Sequence, residues 1–181
     1  MKSNSKRELF QSLGTATALI ISVLALVVSI YEANLLKAQQ KATVWPYFSI
    51  SQGYNSEGFS IYGLNNGTGP ALINSVEVSF NGQSVTNYLD LLNKVSPETT
   101  IGYNQIKQGV LNNTVLKAGE ERLLFFIAWS DETRKIVEKM NEEEVSIIVQ
   151  YCSVLDECWI FNYPSGKRVK ENFKATTEFE N

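Results

Sequence analysis

From Leu9 to Tyr31 the chain carries no charge, and within that run Ala18–Ile30 (ALIISVLALVVSI) is almost wholly apolar. At ~1.5 Å of rise per helical residue, this stretch is long enough to cross a hydrocarbon core of ~30 Å. A core helix of a soluble protein normally keeps a polar stripe toward water, and this one has no charge to make it. A cleaved signal peptide is the closer rival, because Lys2, Lys6 and Arg7 form a positive leading region. The residues that follow, Ser29-Ile30-Tyr31-Glu32-Ala33, put Tyr31 where cleavage wants a small side chain. The reading is an uncleaved transmembrane helix over 11–31.

Basic residues flank the run unevenly. Lys2, Lys6 and Arg7 precede it, and Lys37 and Lys41 follow at greater distance. The positive-inside rule then assigns 1–10 to the cytoplasm. The rest of the chain is expected outside the inner membrane, in the periplasm or the extracellular space. Gly14, Ala18, Ser22, Ala25 and Ser29 fall along one stripe of the helix. Small residues on one face let two helices approach closely in lipid, so this stripe is a candidate for self-association; small residues are also ordinary in any membrane helix. The following residues, EANLLKAQQKATVWP, are good helix formers up to Pro46. They predict a helical stalk over 32–45, because the residue before a proline avoids the α region.

Composition narrows what the displayed part can do. Five of the sixteen basic and two of the nineteen acidic residues lie in 1–43, leaving eleven and seventeen beyond, a net −6. An acidic domain argues against nucleic acid as a partner. The chain has no histidine. The commonest general base, the commonest zinc ligand and the Ser-His and Cys-His pairs are thereby absent. No cofactor and no metal are expected, and an enzyme would have to work with lysines and carboxylates alone.

The segment 46–165 predicts a β-sandwich, with a polar C-terminal tail over 166–181. Strand-like runs are Tyr47–Ser51, Phe59–Leu64, Ser75–Phe80, a poorer one over Gln108–Leu116, and Leu123–Trp129. Val76, Val78 and Phe80 alternate with polar residues, and Asn81-Gly82 then supplies a tight hairpin turn. Two short helices interrupt. One carries Tyr88, Leu91, Leu92 and Val95 at helical spacing and stops before Pro97; the other starts at Ser130 and carries Ile136, Val137 and Met140. The Glu142-Glu143-Glu144 run reads as a solvated helix end. Lys167, Arg168, Lys170 and Lys174 read as a small solvent-exposed basic tail, with contact to anionic lipid as the alternative.

The last hairpin is the most constrained. Placing Cys152 opposite Cys158 pairs Tyr151 with Trp159, Val149 with Phe161 and Ile147 with Tyr163, all on one face. A slip of one residue scrambles that segregation. Directly opposed strand residues lie within the Cα range a disulfide accepts. Cys152 and Cys158 are therefore the disulfide candidate, with free thiols in a reducing compartment as the alternative. A disulfide supports the outside placement of the domain. The hairpin tip, Leu155, Asp156 and Glu157, is a candidate contact point.

Two segments resemble immunoglobulin-like domains of bacterial surface and envelope proteins. Asn65-Asn66-Gly67-Thr68-Gly69-Pro70-Ala71 resembles their Asn-x-Gly-x-x-x-Ala step into a strand. Leu116-Lys117-Ala118-Gly119-Glu120 resembles their Leu-x-x-Gly-Glu turn. With the N-terminal span, Lys41-Ala42-Thr43-Val44-Trp45-Pro46-Tyr47, Tyr151-Cys152-Ser153 and Glu157-Cys158-Trp159, the whole resembles small uncharacterised bacterial single-pass membrane proteins with such a domain. The resemblance implies an Ig-like antiparallel sandwich and brings no activity with it.

The expected fold is thus mainly β: a transmembrane helix, a helical stalk and an Ig-like sandwich with two inserted helices. The expected function is a membrane-anchored, non-enzymatic binding or assembly module of the bacterial envelope. Its expected partners are the bilayer, a second copy through the transmembrane helix, and a protein met by a sandwich edge or the hairpin tip. The alternatives are a cytoplasmic-facing membrane sensor or effector that oligomerises through its helix, and a histidine-independent enzyme.

Overall fold

The computed structural model describes residues 3–98, 101–143 and 145–170. The chain divides into two units, Met1–Ala42 and Thr43–Asn181.

The first unit is helical. Helix α1 (Ser3–Thr43) runs without interruption for 41 residues. Ser12–Thr43 is long and apolar enough to cross a membrane, and its apolar window is exposed among the described residues. Leu19, Ile20, Ile21, Leu24, Val27 and Val28 stand exposed around it. Beyond Tyr31 the helix persists on Ala, Leu, Gln and Lys, and it ends three residues before Pro46.

The second unit is built from two antiparallel sheets. One has four strands in the order β1 (Phe48–Tyr54), β2 (Gly58–Asn65), β7 (Glu121–Ala128), β5 (Ile106–Gln108). The other follows the order β10 (Lys167–Val169), β9 (Cys158–Tyr163), β8 (Val145–Cys152), β3 (Ala71–Phe80), β4 (Gln83–Val85), with β6 (Thr114–Leu116) also on β3. The sheets do not close into a barrel. Their inner faces share one core. Phe48, Phe59 and Ile127 from the first sheet and Val149, Tyr151 and Phe161 from the second are all buried in it. The Phe48 ring lies 5.7 Å from that of Tyr151 and 5.5 Å from that of Phe161.

Helices α2 (Tyr88–Val95) and α3 (Asp131–Glu142) pack on this core through the faces their spacing predicts. Asn87 Oδ1 caps α2 by accepting from Asp90 N. At the start of α3, Ser130 Oγ accepts from Thr133 N, and Thr133 Oγ1 accepts in turn from Ser130 N. At the β3–β4 hairpin, Asn81 and Gly82 both have positive φ (50° and 75°), as a two-residue turn of this hand needs.

Two expectations are corrected. Gln108–Leu116 is not one strand: β5 pairs with β7 in the first sheet, and β6 pairs with β3 in the second. Between them the chain crosses the core edge with Leu111 buried and Asn113 at a positive φ of 53°. The tail expected over 166–181 does not start at 166, because Lys167–Val169 adds to β9 as β10; residues 171–181 lie outside the described residues.

Candidate functional site

Where the chain enters the second unit, three segments meet at one buried amide. Asn65 is fully buried at the end of β2. Its Oδ1 accepts from the backbone N–H groups of Tyr47 and Gly67, both at 3.1 Å. Its Nδ2 faces the carbonyls of Gly69, Leu116 and Lys117 at 2.8, 3.1 and 3.1 Å. The Asn65–Ala71 and Leu116–Glu120 motifs are thus two sides of one joint. Thr68 N and Gly69 N add bonds to the Trp45 carbonyl at 2.9 and 3.2 Å. A side chain is excluded at Gly67, where a Cβ would lie 2.3 Å from Trp45 O, and at Gly69, where it would lie 2.3 Å from Val44 O. Glu120 closes the joint. Its carboxylate accepts from Lys117 N and pairs with Arg122 at 2.6 Å, and these contacts hold its pKa below the ordinary carboxylate value.

The predicted hairpin stands at the same end of its sheet, since Leu72 pairs with Cys152 one residue on from the Ala71–Leu116 pair. The β8–β9 register matches the patterned pairs, from Ile147–Tyr163 to Cys152–Cys158. The two sulfurs lie at bonding distance, 2.03 Å. Ser153 organises the tip: its Oγ accepts from Leu155 N and Glu157 N at 3.2 and 3.3 Å. Leu155 is exposed and Asp156 takes a positive φ of 56°. Glu157 pairs with Lys170 at 2.8 Å. No group of acids and cysteines among the described residues is arranged to hold a metal.

The basic tail reading is corrected at Arg168. Its guanidinium lies 3.8 Å from the centre of the Tyr47 ring and donates to the Phe48 carbonyl, so it ties β10 to the first sheet. Lys174 lies outside the described residues. In α1, Gly14, Ala18, Ser22, Ala25 and Ser29 are all exposed, and Ser22 Oγ donates back to Ala18 O at 2.8 Å.

A cleft that no sequence motif announced opens beside β1. It encloses about 160 Å³, and its lining includes Gln52, Met140, Asn141, Glu143, Tyr163 and Pro164. Three of its lining residues, Gln52, Asn141 and Tyr163, are joined through Tyr54 in a polar chain. Gln52 Nε2 donates to Tyr163 Oη at 2.6 Å, Tyr54 Oη donates to Gln52 Oε1 at 3.3 Å, and Asn141 Nδ2 donates to Tyr54 Oη at 3.1 Å. Burial, with Tyr54 nearby, raises the Tyr163 pKa. Glu143 caps α3 rather than standing free: it accepts from Asn81 Nδ2 at 2.6 Å and faces Lys139 Nζ at 3.6 Å. Ile61, Met140 and Val145 also line an inner apolar cavity of about 30 Å³, whose deeper walls include Val78, Leu91 and Phe125. No family model, curated protein or solved structure matches this chain. The one sequence signal for this region is negative: no charge occurs between Lys41 and Glu57.

Proposed function

We propose that this chain is a single-pass membrane protein of the bacterial envelope, and that its Ig-like sandwich is a non-enzymatic binding or assembly module. The observation that carries the reading is α1, which is long and apolar enough to cross a membrane and whose apolar side chains are exposed among the described residues. Leaving such a surface in water forfeits roughly 25 cal/mol for each Å² of apolar area, and lipid removes that cost. The two-sheet core supports the sandwich, and the Cys152–Cys158 pair supports display on the oxidising side of the inner membrane. Anchoring confines the domain to the membrane surface and raises its effective concentration toward a partner there. The small-residue stripe from Gly14 to Ser29 favours a second copy as one such partner.

Two measurements test this. Membranes washed with alkaline carbonate retain an integral protein and release a peripheral one, so release overturns the anchor. A membrane-impermeant thiol reagent is then applied to intact and opened cells, with and without reductant. The expected result is labelling of Cys152 and Cys158 in intact cells, after reduction only. Labelling that needs opened cells and no reductant overturns the outside placement.

A further inference from the structure

The hydrogen bonds at the two ends of β1 fix which way its backbone points. Tyr47 O accepts from Asn66 N, and Asn55 N donates to Gly58 O, so residues 47 and 55 both face β2. In an antiparallel pair this alternates every second residue. Ser49, Ser51 and Gly53 therefore face β2, while Phe48, Ile50, Gln52 and Tyr54 face the open side. Phe48 fits the pattern, because its carbonyl is taken by Arg168 from that side. Among the described residues, the N–H and C=O groups of Ile50, Gln52 and Tyr54 have no strand beside them.

Natural sheets blunt such edges with short strands, charges or proline. The other edges here are blunted. Strands β4, β5, β6 and β10 have three residues each; β5 carries Lys107, and β10 carries Lys167 and Arg168. Strand β1 has seven residues with neither charge nor proline, and Ser51, Gln52 and Tyr54 are exposed. The cleft lies against this same stretch. Its lining is apolar at Ile61, Met140 and Val145 and acidic at Glu143, whose carboxylate already accepts from Asn81 Nδ2 and faces Lys139 Nζ, so an entering cation shares it with them. A row of free main-chain groups recognises an extended chain, and an adjacent pocket selects a side chain of that chain. A long aliphatic stem ending in a cation matches this mixed apolar and acidic lining.

We propose that the outer edge of β1 takes up an extended segment of a partner protein as an added strand, with a lysine or arginine of that segment entering the cleft toward Glu143. This rests on the binding-module reading above and names its contact surface and the chemistry of its partner.

The test uses the full-length protein in lipid nanodiscs, panned against displayed random peptides of roughly ten residues. Enriched peptides are expected to be rich in β-branched residues and to carry a Lys or Arg at a recurring position. On binding, the amides of Ile50, Gln52 and Tyr54 gain protection from hydrogen exchange, while those of Ser49, Ser51 and Gly53 are protected with and without peptide. Gln52→Pro removes an outward N–H without touching the β1–β2 ladder, so affinity falls by about tenfold or more beyond the loss from Gln52→Ala. Glu143→Gln lowers affinity for the basic peptides by about tenfold. Failure to enrich any peptide, or enriched peptides that protect other amides, overturns the proposal. Peptides without a basic residue that bind Glu143→Gln unchanged overturn the role of the cleft. Self-association of the peptide-free protein that Gln52→Pro abolishes makes a second copy the occupant and overturns the peptide. The exchange pattern needs no variant, so a misfolded proline variant does not mask the answer. Peptide uptake at β1 by a protein that carbonate strips from membranes defeats the anchor reading and leaves this one standing.

Discussion

Arg168 reaches from one sheet to the other and holds the backbone of Phe48: its Nε and Nη2 both donate to the single Phe48 carbonyl, at 2.9 and 2.8 Å. The same guanidinium stacks on Tyr47 at 3.8 Å and lies 5.0 Å from the Phe161 ring centre. A planar fork makes this set of contacts, and an ammonium cannot. Arg168→Ala is expected to cost about 2–4 kcal/mol, from charge-assisted hydrogen bonds and lost packing. Arg168→Lys recovers the charge and not the fork, and costs about 1–2 kcal/mol. Lys167→Ala, at an exposed neighbour, stays within about 0.5 kcal/mol of the parent. Denaturant midpoints of the three variants check the order, and equal midpoints for Arg168→Ala and Lys167→Ala would remove Arg168 as a tie.

Asn65 is the residue on which the entry joint turns. Both its oxygen and its nitrogen are spent on backbone groups of its own turn and of two other segments. Asn65→Ala strands donors at 47 and 67 and acceptors at 69, 116 and 117, with a loss of about 3 kcal/mol or more. Asn65→Asp keeps the shape and is still destabilising, because a carboxylate then faces the Leu116 and Lys117 carbonyls in place of a donor. Asn66→Ala, next door, loses an exposed bond to Ser49 Oγ and is expected to change stability by about 0.5 kcal/mol. Thermal unfolding of the three variants decides it.

Gly67 and Gly69 let the Val44–Tyr47 backbone lie directly on the turn. A Cβ at either position meets main chain at 2.3 Å, and main chain cannot rotate away as a side chain can. Gly67→Ala and Gly69→Ala are each expected to cost about 2–3 kcal/mol, in the range of overpacked sites. They should also expose 44–47 to limited proteolysis before the rest of the unit opens. Cleavage there at the parental rate would mean the joint tolerates the shift.

Legibility in the sequence followed the range of the forces involved. The β8–β9 register was readable because a two-residue period and three apolar or aromatic cross-strand pairs are local, and one slip breaks all of them at once. Helices α2 and α3 were readable because caps and apolar spacing lie within a dozen residues. Gln108–Leu116 was not: a five-residue crossing divides two three-residue strands, too short to show any period. Arg168 looked like part of a solvated tail because its partner carbonyl lies 120 residues earlier. The burial of Asn65 is not visible in the Asn65–Ala71 segment alone, because the Leu116 and Lys117 carbonyls that meet its Nδ2 lie 51 and 52 residues further on. The cleft beside β1 is likewise a product of topology. It gathers β1, the end of α3 and the end of β9, and no window of sequence contains all three.

The disulfide and the hairpin that carries it make separable contributions. The cysteines are six positions apart, and closing so short a loop contributes about 2 kcal/mol in the entropic model. Tyr151 is 1% exposed and contacts both the Phe48 and Trp159 rings. Tyr151→Ala is expected to cost about 3–5 kcal/mol, the range for deleting a buried aromatic. The double variant Cys152→Ser, Cys158→Ser should therefore stay folded with the same β8–β9 amide pairing, and Tyr151→Ala should be the less stable of the two. A hairpin that loses its register when only the cysteines are removed would show that the bond, rather than the aromatic face, sets the pairing.

The pH profile should be flat in the middle and fall at both ends. Asp90 accepts from Thr86 N and pairs with Lys94, and Glu120 accepts from Lys117 N and pairs with Arg122; both pKa values are lowered on folding. A lowered carboxyl contributes stability that is complete above its unfolded pKa of about 4 and is lost as pH falls through the folded value. Tyr88, Tyr151 and Tyr163 are raised, each chiefly by burial. A raised phenol contributes stability that is complete below about pH 10 and is lost as pH climbs through the folded value, because the buried form must be neutral. With no histidine in the chain, no side chain of ordinary pKa titrates between them. Melting temperatures from about pH 3 to 11 should show a plateau between about pH 5 and 9. Asp90→Asn and Glu120→Gln should each shrink the acid-side fall, and Tyr163→Phe the alkaline one. A step near neutral pH would sink this account.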